Sequence, residues 1–183
     1  VGRTAVLGGG RIGSGAGRDL AESGRWMALI GPGEPSDWNA SDGPFSSHHD
    51  QGRITRIVGR NAMWTEVAAH ACARYADIEA RSGIGFHTPR GVLVSYPDAA
   101  DWVDRAEHWG SDAHLVDPDW VRSETGVAIE NGLDIAFEGA PAGHIQSRGS
   151  KIAVLELIVK RNCTLRSTGR PDPEPELENC RFG

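Results

Sequence analysis

The first thirty residues alternate between apolar runs and a helical pattern. Ala5–Leu7 are apolar, glycines follow at once, and Ile12, Ala16 and Leu20 then recur every four residues. That order predicts a strand, a tight turn and an amphipathic helix with those three residues on its inner face. A second apolar run, Trp26–Ile30, is typical of another buried strand. The chain therefore opens with a predicted βαβ start.

Further along, the apolar periodicity predicts a long helix from Asn61 to Ser82. Its predicted inner face carries Trp64, Val67, Ala68, Ala71, Tyr75 and Ile78. We predict further helices over 98–109 and 117–124 and from Ser147 or Ser150 to Arg161, and strands over 86–88, 91–96 and 133–137 and from Thr164. Beyond these elements, Pro171–Glu176 alternates proline with acid, which predicts a solvated tail.

The composition of the chain limits the classes of partner that we expect. The 183 residues carry a net charge of −6 with no long basic run, which argues against a nucleic-acid partner. No apolar stretch is long enough to cross a bilayer, and the first residues lack the pattern of a signal peptide. The three cysteines have no close spacing, so they predict neither a disulfide framework nor a zinc site. Reduced thiols and a cytoplasmic location are expected.

The glycines after the first strand follow the spacing G-x-G-x-x-G. Gly8 permits a sharp turn, Gly10 lets the backbone approach a pyrophosphate, and Gly13 lets the helix pack closely on the strand. The N–H groups at the helix N-terminus would then face the phosphates. The motif predicts a dinucleotide site, and the alternative is a glycine-rich loop without a ligand.

A polar segment precedes residue 60, and three interpretations compete for it. His48, His49 and Asp50 would be metal ligands, although adjacent residues seldom point at one ion. The segment would otherwise be a solvated loop, or a loop that faces a cofactor. In that third case Arg53 and Arg56 would share a side on a helical turn, or point to opposite faces of a strand and serve two anions.

The order of these motifs resembles the D-amino-acid-oxidase-like family of FAD-dependent oxidoreductases, in particular monomeric sarcosine oxidase and N-methyltryptophan oxidase. The resemblance rests on Gly8, Gly10, Gly13, Gly17, Ser47, His49, Arg53, Arg56, the run Gly91–Val94 and the segment Phe137–Ile145. It extends to about Ser167. It implies a Rossmann-like FAD-binding βαβ domain with part of a second, substrate-side α+β region, incomplete relative to the family.

The resemblance also implies roles for individual residues. Gly8, Gly10 and Gly13 would lie under the FAD pyrophosphate, Ser47 near the phosphate or ribityl chain, His49 and Arg53 close to the isoalloxazine ring, and Arg56 at the substrate carboxylate. A fixed cation near the ring suits hydride transfer, because that step leaves negative charge on the flavin. Family members oxidise a C–N bond to an imine and pass the electrons to oxygen or another acceptor.

Two departures from the family stand out. Gly31 occupies the place where relatives carry an acid for the adenosine ribose, and Glu34 is the nearest candidate to replace it. Family chains are also considerably longer, so we expect an N-terminal portion here. On this basis we divide the chain into a dinucleotide-binding part with its cofactor loop over 1–60, an excursion with the start of the substrate side over 61–137, a return to the cofactor domain over 138–168 and a disordered tail over 169–183.

The predicted function is FAD-dependent oxidation of a small-molecule amine or amino acid, with no nucleic-acid or membrane partner and no metal. Two alternatives stay open. One is a non-catalytic remnant that binds a dinucleotide. The other is an NAD(P)-dependent dehydrogenase, which ranks lower because Gly31 replaces the ribose acid and no arginine follows the second strand to take a 2′-phosphate.

Overall fold

A parallel sheet organises the first of two units into which the chain divides. The structure, a computed structural model, describes residues 3–32, 52–129, 132–160 and 164–167. The strands are β1 (Thr4–Leu7), β2 (Met27–Gly31), β3 (Arg53–Thr55), β4 (His87–Pro89), β5 (Val92–Tyr96), β6 (His114–Val116), β7 (Asp134–Glu138), β8 (Gly143–Ile145) and β9 (Thr164–Ser167). The helices are α1 (Arg11–Glu22), α2 (Ala62–Cys72), α3 (Tyr75–Ser82), α4 (Ala99–Glu107), α5 (Pro118–Thr125) and α6 (Ser147–Val159).

The first unit is a βαβ arrangement completed by a third parallel strand. Its sheet has the order β1-β2-β9, and the first pair runs in register from Thr4 opposite Met27 to Leu7 opposite Ile30. Parallel neighbours need a crossover, and α1 supplies it between β1 and β2. The predicted α/β class with a parallel βαβ start is confirmed.

The predicted inner face of α1 is wrong. It was expected to carry Ile12, Ala16 and Leu20, whereas the buried residues of the helix are Ser14, Gly17, Arg18 and Ala21. Ile12 is 91% exposed. The reason is the close approach of the helix to its neighbours, since a Cβ added to Gly17 would lie 3.0 Å from Met27 Cε and 3.2 Å from Ile158 Cδ1. Small residues therefore face inward, and Leu20 packs only partly against this core.

The end of α3 lies in the same unit and is held by two charged side chains. Arg81 Nη1 lies 2.9 Å from Glu22 Oε1, which joins this helix to α1. Lys160 Nζ, just beyond α6, donates to the carbonyl oxygens of Arg81 at 2.9 Å and Ser82 at 3.4 Å. Carbonyl groups in the last turn of a helix have no intrahelical partner, so the ammonium group supplies one. Its positive charge also interacts favourably with the negative end of the helix dipole.

The second unit contains two antiparallel sheets of three strands each, with the orders β3-β8-β4 and β5-β7-β6. Helix α4 packs on the β5-β7-β6 sheet, and its Trp102 and Val103 are 3% and 8% exposed. They join Val94 and Ala136 in one apolar cluster. Both side chains face inward, and the helix predicted over 98–109 is confirmed as α4.

The long predicted helix is two helices, and its predicted face is wrong over α2 but confirmed at Ile78 of α3, which is 5% exposed. α2 ends at Cys72 and α3 begins at Tyr75. Trp64 is 64% exposed, whereas Thr65 is 1% exposed. Burial of this polar residue costs little because its hydroxyl donates to the carbonyl oxygen of Asn61 at 3.1 Å. The periodicity could not distinguish the two faces, since alanines occur all round the helix.

A small polar network lies beneath β3. Thr55 Oγ1 is 3.0 Å from the Tyr75 hydroxyl and 3.5 Å from Cys72 Sγ. Burial raises the pKa of the Cys72 thiol, and the nearby Glu138 carboxylate adds to the rise, while the hydrogen bonds to Thr55 and Tyr75 oppose it. The thiol is therefore held protonated at neutral pH.

We predict that Cys72 resists alkylation in the folded protein. In a Cys163→Ser/Cys180→Ser background, iodoacetamide should label the native chain far more slowly than the urea-unfolded chain, because the attacking species is the thiolate. Burial raises the pKa of the folded thiol above that of the unfolded chain. Stability linked to this group is thus fully present below the unfolded pKa and is lost as pH rises through the folded pKa. The same slope should be absent from Cys72→Ala, and equal labelling of folded and unfolded chains would contradict the assignment.

Candidate functional site

The loop between β1 and α1 is built from glycines with different requirements. Gly8 has φ +99°, a conformation that side chains disfavour, although an added Cβ would meet no atom within 4 Å. Its N–H donates to the Ile30 carbonyl oxygen at 2.8 Å, which fixes the turn against β2. Gly10 is the extended N-cap residue of α1, with φ −71° and ψ −175°.

Gly13 allows the closest backbone approach in the loop. An added Cβ there would collide with the Gly8 carbonyl oxygen, and it would lie 3.0 Å from the Gly8 carbonyl carbon. The obstacle is main chain, which cannot rotate away as a side chain can. The third glycine of the motif is therefore required by space, and the first by its dihedral angle.

The N-terminus of α1 has the properties of an anion site. Within the described part of the chain no side chain caps it, and no acidic residue lies in its first turn. The first intrahelical bond runs from Ser14 N to the Gly10 carbonyl oxygen at 2.8 Å, so the N–H groups before it lack helical partners. Arg11 adds a cation at this end, and its Nη1 donates to Ser147 Oγ at 3.0 Å. Bare amides with a helix dipole behind them fit a pyrophosphate.

The end of β2 leaves no room for a ribose-binding acid. A Cβ added to Gly31 would lie 2.6 Å from Gly9 N, again a main-chain atom. The departure from the family pattern noted at Gly31 therefore has a steric cause. Glu34, the expected replacement, and the predicted site residues Ser47 and His49 lie outside the described residues.

The two predicted arginines lie at and just after β3 in the second unit. Arg53 opens the strand opposite Ile145 of β8 and is exposed. Arg56 follows the strand and is half-buried, with its guanidinium carbon 5.8 Å from the Trp102 ring centroid. Its Nη1 is buried and has no hydrogen-bond partner among the described residues. The arginines thus differ in environment, since one is exposed on a strand and the other is half-buried against an aromatic ring.

Glu138 is a buried residue of this region that the sequence reasoning did not select. It is 0% exposed at the end of β7. Its carboxylate accepts hydrogen bonds from Ile57 N at 3.0 Å, Val58 N at 2.9 Å and Ser111 Oγ at 3.0 Å. The available signal was a lone acid at the end of an apolar strand, which requires a partner when it is buried.

The family of the chain follows from comparison with known proteins. A family model described as "DAO: FAD dependent oxidoreductase" matches residues 3–167. The chain belongs to this family. A search of curated proteins found no match. The predicted membership in the D-amino-acid-oxidase-like family is confirmed.

Solved structures of this fold extend the comparison. L-proline dehydrogenase from P. horikoshii is similar with TM-score 0.67 and 15% identity over 90% of this chain and 43% of that one. L-amino acid deaminase from Proteus vulgaris has TM-score 0.67 and 16% identity, over 90% and 39%. Glycine oxidase from Geobacillus kaustophilus has TM-score 0.60 and 17% identity, over 91% and 47%. The chain spans less than half the length of each of these solved structures.

Neither a metal-binding cluster nor a membrane-spanning helix occurs in the described part of the chain. Within residues 3–32, 52–129, 132–160 and 164–167, no group of three His, Cys, Asp or Glu side chains is arranged to hold a metal ion. The His48–Asp50 segment lies outside those ranges. None of the described helices is both long and apolar enough to span a bilayer.

Two glycine-to-alanine substitutions in α1 should distinguish a steric clash from the general effect of alanine on helix stability. Gly13→Ala places a methyl against the Gly8 carbonyl, so we expect it to destabilise the chain by about 2 kcal/mol. Gly15→Ala adds a methyl with no atom within 4 Å and should stabilise it by roughly 0.5–1 kcal/mol. Urea unfolding measures both. Equal effects of the two substitutions would refute the close approach.

A second pair of substitutions tests the end of β2. Gly31→Glu restores the acid typical of the family, yet we expect it to weaken dinucleotide binding, because its Cβ displaces Gly9. Gly9→Ala is the matched control, since its added Cβ meets only the Pro32 carbonyl oxygen at 4.0 Å. Titration with FAD compares the dissociation constants. Tighter binding by Gly31→Glu would show that an acid does fit.

Proposed function

We propose that the protein is an FAD-dependent oxidoreductase that oxidises the C–N bond of a small amine or amino acid. The observation that carries the proposal is the glycine loop at α1, within a chain that matches the DAO family over residues 3–167. The alternatives are a non-catalytic dinucleotide-binding remnant and an NAD(P)-dependent dehydrogenase.

Gly8, Gly10 and Gly13 are proposed to hold the pyrophosphate of FAD. The support is the uncapped N-terminus of α1, the absence of acid in its first turn and the bare backbone around Gly13. Ser47 and Glu34 are proposed contacts to the phosphate or ribityl chain and to the ribose, respectively, on the family resemblance alone. When bound, FAD would accept a hydride from the carbon of the substrate's C–N bond.

The arginines are proposed to supply fixed positive charge. Arg53, together with His49, would lie near the flavin ring and stabilise the negative charge that develops there. Arg56 would bind the substrate carboxylate, as a guanidinium does well with two parallel hydrogen bonds. Its buried and unpartnered Nη1 supports this role, because such a donor is costly unless an acceptor reaches it.

The substrate class is proposed from the names of the similar structures. They are described as a proline dehydrogenase, a glycine oxidase and an L-amino acid deaminase, all of which act on amino acids. A carboxylate next to an amine is common to these substrates. We therefore propose glycine, N-methylglycine and L-proline as the first compounds to test.

The full chain should take up FAD and become reducible by an amine. After reconstitution with FAD and removal of unbound cofactor, we expect a visible flavin absorbance band that bleaches on anaerobic addition of one of these amino acids. Dimethylamine, which lacks a carboxylate, should bleach it far less. Arg56→Lys keeps the charge but loses the bidentate fork, so the amino-acid concentration needed should rise roughly tenfold.

The outcomes separate the candidate functions. A protein that stays colourless after reconstitution overturns the FAD proposal, and quenching of tryptophan fluorescence by NADH in the same protein would favour the dehydrogenase. Bound flavin that no amine reduces would favour the non-catalytic remnant.

A further inference from the structure

The position of Arg56 in the chain is fixed by hydrogen bonds of the backbone that follows it. The two residues that follow it, Ile57 and Val58, both donate their backbone N–H groups to one buried carboxylate, that of Glu138. The third donor to this carboxylate is Ser111 Oγ at 3.0 Å. The carboxylate therefore accepts hydrogen bonds from the main chain that follows Arg56 and not from the Arg56 guanidinium.

The Arg56 side chain is supported separately by Trp102. The guanidinium carbon lies 5.8 Å from the indole centroid, a distance at which a cation is attracted to the ring face. Two buried donors at this contact, Arg56 Nη1 and Trp102 Nε1, have no acceptor among the described residues. Trp102 itself is 3% exposed. Buried donors call for an acceptor, and for a guanidinium the favoured acceptor is an anion.

We propose that Glu138 is the positioning residue of Arg56: it clamps the backbone of Ile57 and Val58 so that the guanidinium presents its unpartnered donor to a carboxylate ligand. This inference rests on the proposed function, in which Arg56 binds the substrate carboxylate, and it names the residue that sets the geometry. Glu138 touches neither substrate nor cofactor.

A carboxylate is suited to the clamp where an amide is not. Adjacent N–H donors and a hydroxyl converge on the two oxygens, and each oxygen can accept more than one hydrogen bond. Glu138→Gln would turn one acceptor into an NH₂ group that faces a backbone donor. Because Ile57 N lies 3.0 Å from both oxygens, it would face the NH₂ group in either orientation of the amide, and the segment would shift.

The test measures binding of acetate, the simplest carboxylate, to the full chain without FAD. Acetate should shift the Trp102 indole N–H signal, one of six tryptophan signals, and the Arg56 Nε–H signal in ¹H–¹⁵N spectra. Acetamide should shift neither. Glu138→Gln should weaken acetate binding about tenfold, because a small misplacement of a binding group costs that much or more.

Ser111→Ala is the matched control. It removes one donor to the same carboxylate and leaves Ala113 N without its partner, so it also costs stability, but it leaves both backbone N–H bonds of the clamp in place. We expect its acetate affinity to stay within about twofold of the wild type. An equal loss of affinity in both variants would reduce Glu138 to a general structural role and overturn the proposal.

A measurement on the wild type covers the case in which Glu138→Gln fails to fold. If the clamp and the anion are coupled, acetate must stabilise the clamp as the clamp stabilises acetate. Amide hydrogen exchange of Ile57 and Val58 should therefore slow several-fold in saturating acetate. Unchanged exchange, or no acetate binding, overturns the inference. FAD uptake is scored separately, so failure of the proposed cofactor remains distinguishable from failure of the clamp.

Discussion

At two places in the first unit the backbone of one segment packs so closely on the backbone of another that only a glycine fits. Gly13 faces the Gly8 carbonyl, and Gly31 faces Gly9 N. These approaches bring the start of α1 against the ends of β1 and β2, where a parallel α/β sheet binds its ligands. A methyl at either place would push the helix away from the sheet. The placement of the uncapped helix N-terminus therefore depends on the absence of two side chains.

The second unit depends on a different kind of constraint. Its centre contains a charged group, Glu138, that is fully buried and still satisfied, since two backbone donors and one hydroxyl reach it. Removing one partner of such a group lowers the free energy of unfolding by more than the hydrogen bond contributes, because the buried charge is then left without compensation in a low dielectric. The unit is thus specified by polar contacts as well as by the apolar cluster around Trp102.

The sequence was sufficient to predict features that depend on contacts between residues close together in the chain. The helix predicted over 117–124 is confirmed as α5, and its start is fixed locally, because Asp117 Oδ1 accepts from Trp120 N at 2.7 Å. The glycine turn was predicted for the same reason. The exposed Trp64 was not, because the choice of helix face depends on distant neighbours. The hydrogen bonds of Glu138 were missed because its two backbone donors lie some eighty residues away in sequence.

The order of strands in the parallel sheet has a consequence for how the chain acquires its structure. β2 lies between β1, which is adjacent in sequence, and β9, which follows nearly all the rest of the described chain. Closing so long a loop is entropically slow, whereas most pairings of the second unit span shorter segments. During synthesis the antiparallel sheets can therefore form while the parallel sheet still has an open edge on β2. Until β9 emerges, that edge is exposed to pairing with other chains, and a chaperone would be most useful in this interval.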